Sequence, residues 1–218
     1  MVTRTSPGLA CDRAFSLSQT RPVGVHGRDV RDPTERPLVD ALRRGEARAF
    51  DAVYARYRGR IYGFLLRLTR RTDVAEDLFQ ETFLKLARSA GRLADDTDLA
   101  AWLFTVARNA WVSYRRWSIL DVSRLVAIQD DALPPAKGPD PDARADASRA
   151  VQRLERALDS LPAASREVLL LVGVEGFDQE EAASVLGIKY DALRQRLTRA
   201  RAQLADRLAM METLEAPA

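Results

Sequence analysis

A chain of 218 residues, 46% of them hydrophobic, holds material for one or two modest helical cores and too little for a large enzyme fold. Its 34 Lys plus Arg against 31 Asp plus Glu leave a formal charge of +3 and a pI near 9.3, which points to a polyanionic partner only where the positive side chains cluster. With a single cysteine, Cys11, and a single histidine, His26, counting excludes a disulfide, a Cys/His zinc site and a His-based triad within this chain. No apolar run is long enough to span a bilayer, and the N-terminus lacks the apolar core of a signal peptide. The expectation is a cytoplasmic protein without membrane insertion, metal or other cofactor.

In chain order, Met1 to Pro37 is rich in Arg, Pro, Gly, Ser and Thr, with apolar residues scattered without period. It reads as a disordered N-terminal extension, because it buries too little surface to offset its conformational entropy. Helical patterning starts at Leu38. Phe50, Val53, Tyr54, Tyr57, Ile61, Phe64, Leu65 and Leu68 then recur at three- and four-residue steps and line one helix face. Arg56, Arg58, Arg60 and Arg67 fall on its other faces. A second helix is predicted over about 73–89, with Val74, Leu78, Thr82 and Leu86 as its stripe, Phe79 and Phe83 beside it, and Asp77, Gln80, Glu81 and Lys85 opposite. After a polar loop, Arg92 to Asp98, a third helix is predicted over about 99–117. From 118 to 148 the pattern gives way to Asp130, Asp131, Pro134, Pro135, Gly138, Pro139, Asp140, Pro141 and Asp142, the composition of a flexible acidic linker. Helical spacing restarts at Val151, Leu154, Leu158 and Leu161, and Pro162 suits the first turn of the next helix. No strand alternation appears, so the predicted fold class is all-α. It comprises a helical bundle over 38–117 and a second small helical domain over 149–210, followed by a tail over 211–218.

The sharpest local signal lies between Phe177 and Leu204. Asp178 with Glu181 three residues on has the form of a capping box. The helix it starts ends at Leu186 and Gly187, where glycine supplies the left-handed backbone that turns the chain. Ile188 plugs the turn, and Leu193, Leu197, Ala200 and Leu204 form a buried stripe on the next helix. Its outward side carries Tyr190, Arg194, Gln195, Thr198, Arg199 and Arg201. A short helix, a glycine turn and a second helix with an Arg/Gln face make a helix-turn-helix suited to a major groove, where Arg and Gln reach guanine and adenine edges. The competing reading is a solvated basic face on an ordinary helical hairpin.

The predicted third helix has a core stripe of Trp102, Leu103, Val106 and Ala110, and beside it Phe104, Arg108, Trp111 and Arg115, in which rings alternate with guanidiniums. Asn109, Tyr114 and Arg116 add to its polar side. Such a surface suits single-stranded DNA, because rings stack on unpaired bases and arginines follow the phosphates. The alternative is that Trp102 and Trp111 are core residues.

Three segments then resemble a known family: Asp73-Val-Ala-Glu-Asp-Leu-Phe-Gln-Glu-Thr-Phe-Leu-Lys-Leu; Ala101-Trp-Leu-Phe-Thr-Val-Ala-Arg-Asn; and Leu161-Pro with Arg166-Glu-Val, Glu175-Gly-Phe, Glu180-Glu-Ala-Ala, Leu186-Gly-Ile and Arg196-Leu-Thr-Arg-Ala-Arg. Together and in this order they resemble bacterial RNA polymerase sigma factors of the sigma-70 family, extracytoplasmic-function (ECF) group, over roughly Leu38 to Leu208. The resemblance implies a transcription initiation factor, not an enzyme, with core RNA polymerase and promoter DNA as partners and an anti-sigma factor holding it shut. It implies that Asp77, Gln80 and Glu81 dock on the polymerase. It also implies that the region of about 94–116, with Trp102, Arg108, Asn109, Trp111, Arg115 and Arg116, opens the minus-10 element and grips its single strand. Tyr190, Arg194, Gln195, Thr198 and Arg199 then read the minus-35 element as duplex, and the linker runs toward the RNA exit path. Ser113 stands where the family usually has an acidic residue, Ala182 replaces a common Ile, and Asp95, Asp96 and Asp98 occupy a loop where many relatives carry Arg-Gly. Three carboxylates there are expected to repel phosphates.

Two other classes compete with this reading. A conventional helix-turn-helix regulator acting on duplex operators leaves the arginine and aromatic stripe and the Asp77, Gln80, Glu81 patch without a role. A metal-dependent nuclease needs clustered carboxylates, and Asp95, Asp96 and Asp98, or Glu180 and Glu181, are explained by ordinary solvation.

Overall fold

The computed structural model describes residues 35–122 and 143–215. Cys11 and His26 therefore lie outside the described residues, as do most of the N-terminal extension and the middle of the linker. Among the described residues there are helices and no strands. The helices are α1 (Glu35–Arg43), α2 (Ala47–Thr69), α3 (Thr72–Ser89), α4 (Leu99–Val122), α5 (Ala143–Asp159), α6 (Ala163–Leu169), α7 (Gln179–Leu186) and α8 (Tyr190–Glu215). A 3-10 turn, Ala90–Arg92, follows α3, and a π-helical turn, Leu170–Val174, follows α6.

Local chemistry sets the boundaries. Gly45, at φ +76°, closes α1: its N–H donates to Leu42 O and the Glu46 N–H donates to Ala41 O, so two orphan carbonyls are satisfied by a left-handed turn. Arg70 ends α2 in the same conformation, at φ 58°, which is uncommon for a residue with a Cβ. Helix α1 begins at Glu35, so ordered chain reaches into the expected extension of 1–37. Likewise α4 continues to Val122 and α5 starts at Ala143, so both ends of the expected 118–148 linker are helical. Residues 143–148, Ala-Arg-Ala-Asp-Ala-Ser, contain three alanines and no proline, and helix propensity there outweighs the acidic composition that precedes them.

Helices α2 and α3 pack side by side, and α4 lies across both. Of the stripe expected on α2, Val53, Tyr57, Ile61, Phe64, Leu65 and Leu68 are buried, while Phe50 is half-buried and Tyr54 is exposed. In the C-terminal half, α6 and α8 enclose Val168, Leu170, Leu171, Leu193, Leu197 and Ala200. The two halves are not separated by solvent. Helix α4 packs against α7 as well as against α2 and α3, and its Phe104 ring stands edge-on to Phe64 on one side and to Phe177 on the other, with centroids 5.1 Å apart in each case. One continuous apolar core therefore runs through both halves.

Candidate nucleic-acid interface

Helices α7 and α8 form the duplex-reading candidate. Asp178 Oδ1 accepts from the Glu181 N–H at 2.8 Å while Glu181 Oε2 accepts from the Asp178 N–H at 2.9 Å, so the capping box starts α7. Gly187, at φ +61°, ends it, and the Ile188 N–H returns to Ala183 O at 3.0 Å. Burial of Leu193, Leu197 and Ala200 turns the opposite face of α8 outward, and there Tyr190, Arg194, Gln195, Thr198 and Arg199 are all exposed. The Arg194 guanidinium lies 5.9 Å from the centroid of the Tyr190 ring. A cation resting on a ring at the start of a helix is oriented without being neutralised, and it stays available to a base edge or phosphate.

A second face belongs to α2 and α3. Asp77, Gln80 and Glu81 are exposed on α3. Beside them lies a network of rings that periodicity alone does not single out. Phe79 meets Tyr54 and Tyr62 at 6.0 Å each and Phe83 at 5.0 Å, and Phe83 meets Tyr54 at 5.0 Å. With Tyr54 exposed, Phe79 half-buried and Leu84 exposed, the acidic patch has an apolar flank, as protein interfaces commonly do.

The single-strand candidate on α4 is split. Arg115 and Arg116 are exposed, Asn109 and Trp102 are half-buried, and Trp111 keeps only 3% of its surface, with the Arg115 guanidinium 5.1 Å from its ring centroid. Arg108 faces the C-terminal half, where its Nε donates to Glu167 Oε1 at 2.7 Å. Trp117, which spacing did not distinguish, is 58% exposed beside Arg116. The loop before α4 differs from its expected character. Asp98 is spent on capping, its Oδ1 accepting from the Ala101 N–H at 2.8 Å, and Asp95 pairs with Arg43 of α1. Of three carboxylates expected to repel phosphates, Asp96 alone stands exposed without a contact of this kind, and only the tertiary placement of Arg43 made that visible.

Two carboxyls in the C-terminal half are held above their ordinary range. Burial pushes the Glu175 carboxyl up, against the opposing pull of Arg60. Burial likewise raises Glu181, helped by the charges of Asp178 and of Asp98 across the interface, while the Asp178 N–H opposes. Among the described residues no cluster of His, Cys, Asp and Glu is arranged to hold a metal, and no helix is long and apolar enough to cross a membrane.

Fold and surface thus define an all-helical DNA-binding class: a bundle with an aromatic and guanidinium helix, joined to a helix-turn-helix. Residues 53–117 match the family described as Sigma-70 region 2, and residues 151–204 match Sigma-70, region 4. The chain is 35% identical over 175 residues to the RNA polymerase sigma factor CarQ of Myxococcus xanthus, covering 80% of this chain and 97% of that one. It is 33% identical over 187 residues to the ECF RNA polymerase sigma factor SigE of Mycolicibacterium smegmatis, covering 82% and 69%. Its fold is similar to the sigma factor RpoE crystallised with the anti-sigma factor NepR from Bartonella quintana, with a TM-score of 0.62, 30% identity, and 73% of this chain and 96% of that one covered. The chain belongs to the sigma-70 family of RNA polymerase sigma factors, in the ECF group.

Proposed function

We propose that the protein binds core RNA polymerase in the cytoplasm, directs it to promoters, opens the minus-10 element through α4 and reads the minus-35 element through α8, without itself catalysing a reaction. The observation that carries this reading is the joint occurrence of two unlike nucleic-acid surfaces in one chain. The exposed Tyr190, Arg194, Gln195, Thr198 and Arg199 suit a duplex groove, while Trp102, Asn109, Arg115 and Arg116, which keep exposed surface on α4, suit an unpaired strand; Trp111 of the expected set is buried and Arg108 is paired with Glu167. A conventional regulator needs only the first. In this reading Asp77, Gln80 and Glu81 supply the charged part of the polymerase-docking face, and the Tyr54 and Phe79 rings supply its apolar part. An anti-sigma factor is the expected protein inhibitor, as for the RpoE relative seen with NepR.

The test is transcription by core polymerase from the source organism on a pool of its genomic fragments, with and without the protein. Defined start sites that require both components are the expected result. Retention of specific duplex fragments by the protein alone, with no gain for polymerase, would favour the operator-binding regulator. Asp77→Ala and Gln80→Ala are expected to lower affinity for core polymerase several-fold while leaving duplex recognition intact, as read from polymerase titrations.

A further inference from the structure

The face of α8 turned away from the core is not uniformly basic. Buried Leu193, Leu197 and Ala200 with half-buried Leu204 mark its inner stripe, and the helical period sets Asp191, Gln195, Thr198 and Ala202 opposite, at steps of four, three and four residues. All four are exposed. Tyr190, Arg194 and Arg201 run along one flank of this outer stripe and Arg199 along the other. The cations therefore stand at the edges, and the centre carries a carboxylate, an amide, a hydroxyl and a methyl group. The Thr198 hydroxyl donates to Arg194 O at 3.0 Å, so Asp191 and Gln195 hold the uncommitted polar atoms of the centre. Arg194 is three residues from Asp191, a spacing that permits an ion pair, yet its guanidinium lies over the Tyr190 ring, 5.9 Å from the centroid. Among the described residues the Asp191 carboxylate has no hydrogen-bond or ion-pair partner. A helix docked in a major groove sets its flanks against the phosphate walls and its central stripe against the base edges.

We propose that Asp191 is a specificity-determining residue of the minus-35 readout, its carboxylate accepting a hydrogen bond from the exocyclic amine of a cytosine. The inference rests on the reading of α8 as the minus-35 helix and names a base for it. A carboxylate only accepts, so in the major groove guanine O6 and N7 and thymine O4 repel it. Cytosine N4 and adenine N6 are the donors there. Adenine sets its donor beside the N7 acceptor, a pair that the Gln195 amide matches and a carboxylate does not. Cytosine offers its donor with no acceptor next to it on the same base. Facing any other base, Asp191 adds a negative charge to a surface that must approach a polyanion, so it weakens wrong sites as well as favouring the right one. An acid in the first turn also interacts favourably with the helix dipole, but that effect is blind to sequence and acts alike on every duplex.

The experiment uses the full chain with core polymerase and, as probe, a duplex promoter recovered in the transcription test, with the base pairs of its upstream element randomised. Sequencing the retained duplexes gives the base preference at each position. Wild type is expected to retain cytosine about tenfold over the other bases at one position of one strand. Asp191→Ala is expected to level that position and leave the others as they were. Asp191→Asn is expected to move it toward adenine, since an amide presents a donor and an acceptor together. Both substitutions fall at an exposed helical position and remove nothing from the core. Asp206→Ala, the same charge change at an exposed site further along α8, is expected to reproduce the wild-type profile throughout. A profile that Asp191→Ala leaves unchanged, or binding that it strengthens alike for all duplexes, would overturn the proposal. The sigma reading then stands without it, because a promoter has still been selected together with polymerase. If no start site depends on both protein and polymerase, the sigma reading fails and the proposal falls with it.

Discussion

Arg194 and Gln195 project from α8 into solvent, and the buried Leu193 and Leu197 beside them fix the side of the helix on which they stand. Their replacement by Ala removes nothing from the core. Arg194→Ala or Gln195→Ala is therefore expected to leave the melting temperature nearly unchanged and to cost about 1–3 kcal/mol of discrimination between matched and mismatched minus-35 duplexes, measured by competition with the polymerase complex. Glu175 and Glu181 behave differently, because burial raises both above the ordinary value of 4.5. The folded state then binds their protons more tightly than the unfolded chain does. Their contribution to stability is fully present below 4.5 and is lost as pH rises through the raised folded values. Glu175→Gln and Glu181→Gln are each expected to flatten this part of the profile. The check is thermal unfolding of wild type and variant between neutral pH and pH 4.5, with the difference shrinking as pH falls.

At the scale of the element, α7 depends on its ends. It has eight residues, too few to persist by propensity, so the reciprocal hydrogen bonds between Asp178 and Glu181 and the left-handed Gly187 define it as much as its buried Ala182, Ala183, Val185 and Leu186 do. Asp178→Ala removes the side-chain acceptor and leaves the Glu181 N–H to solvent. A loss of about 0.5–2 kcal/mol in chemical denaturation is expected, together with weaker minus-35 binding, because α7 orients α8. All parts of this motif were legible in the sequence: the cap pair, the glycine and the spacing are local and span few residues. Helix α4 was legible only as a helix. Its stripe of Phe104, Arg108, Trp111 and Arg115 reads equally as strand-binding surface or as core. The structure divides it, with Phe104 and Trp111 buried, Arg108 paired and Arg115 exposed.

For the whole molecule, the contact of Phe104 with both Phe64 and Phe177 makes the two halves one apolar core. Arg166 reinforces the join. It is buried, donating to Leu158 O, Asp159 O and Leu161 O in its own half and to Arg67 O in the other. A chain built this way is expected to unfold in one transition. Phe177→Ala, which removes a buried ring from the junction, is expected to lower the free energy of unfolding by about 3–5 kcal/mol and to split the calorimetric transition in two.

Helix periodicity, the capping box, the glycine turn and the order of the three family segments are properties of neighbouring residues, because helix formation and capping act over a few residues at a time. They were sufficient for the all-α class, the helix-turn-helix and the exposed face of α8. The relation between the halves rests on pairs far apart in the chain: Arg108 with Glu167, Arg60 with Glu175, Arg43 with Asp95. No period or spacing encodes such pairs. Which arginines stand free for DNA, that Asp95 of the 95–98 loop is already engaged, and which rings are core was decided by tertiary packing, since burial and ion pairing depend on what the folded chain places opposite each side chain.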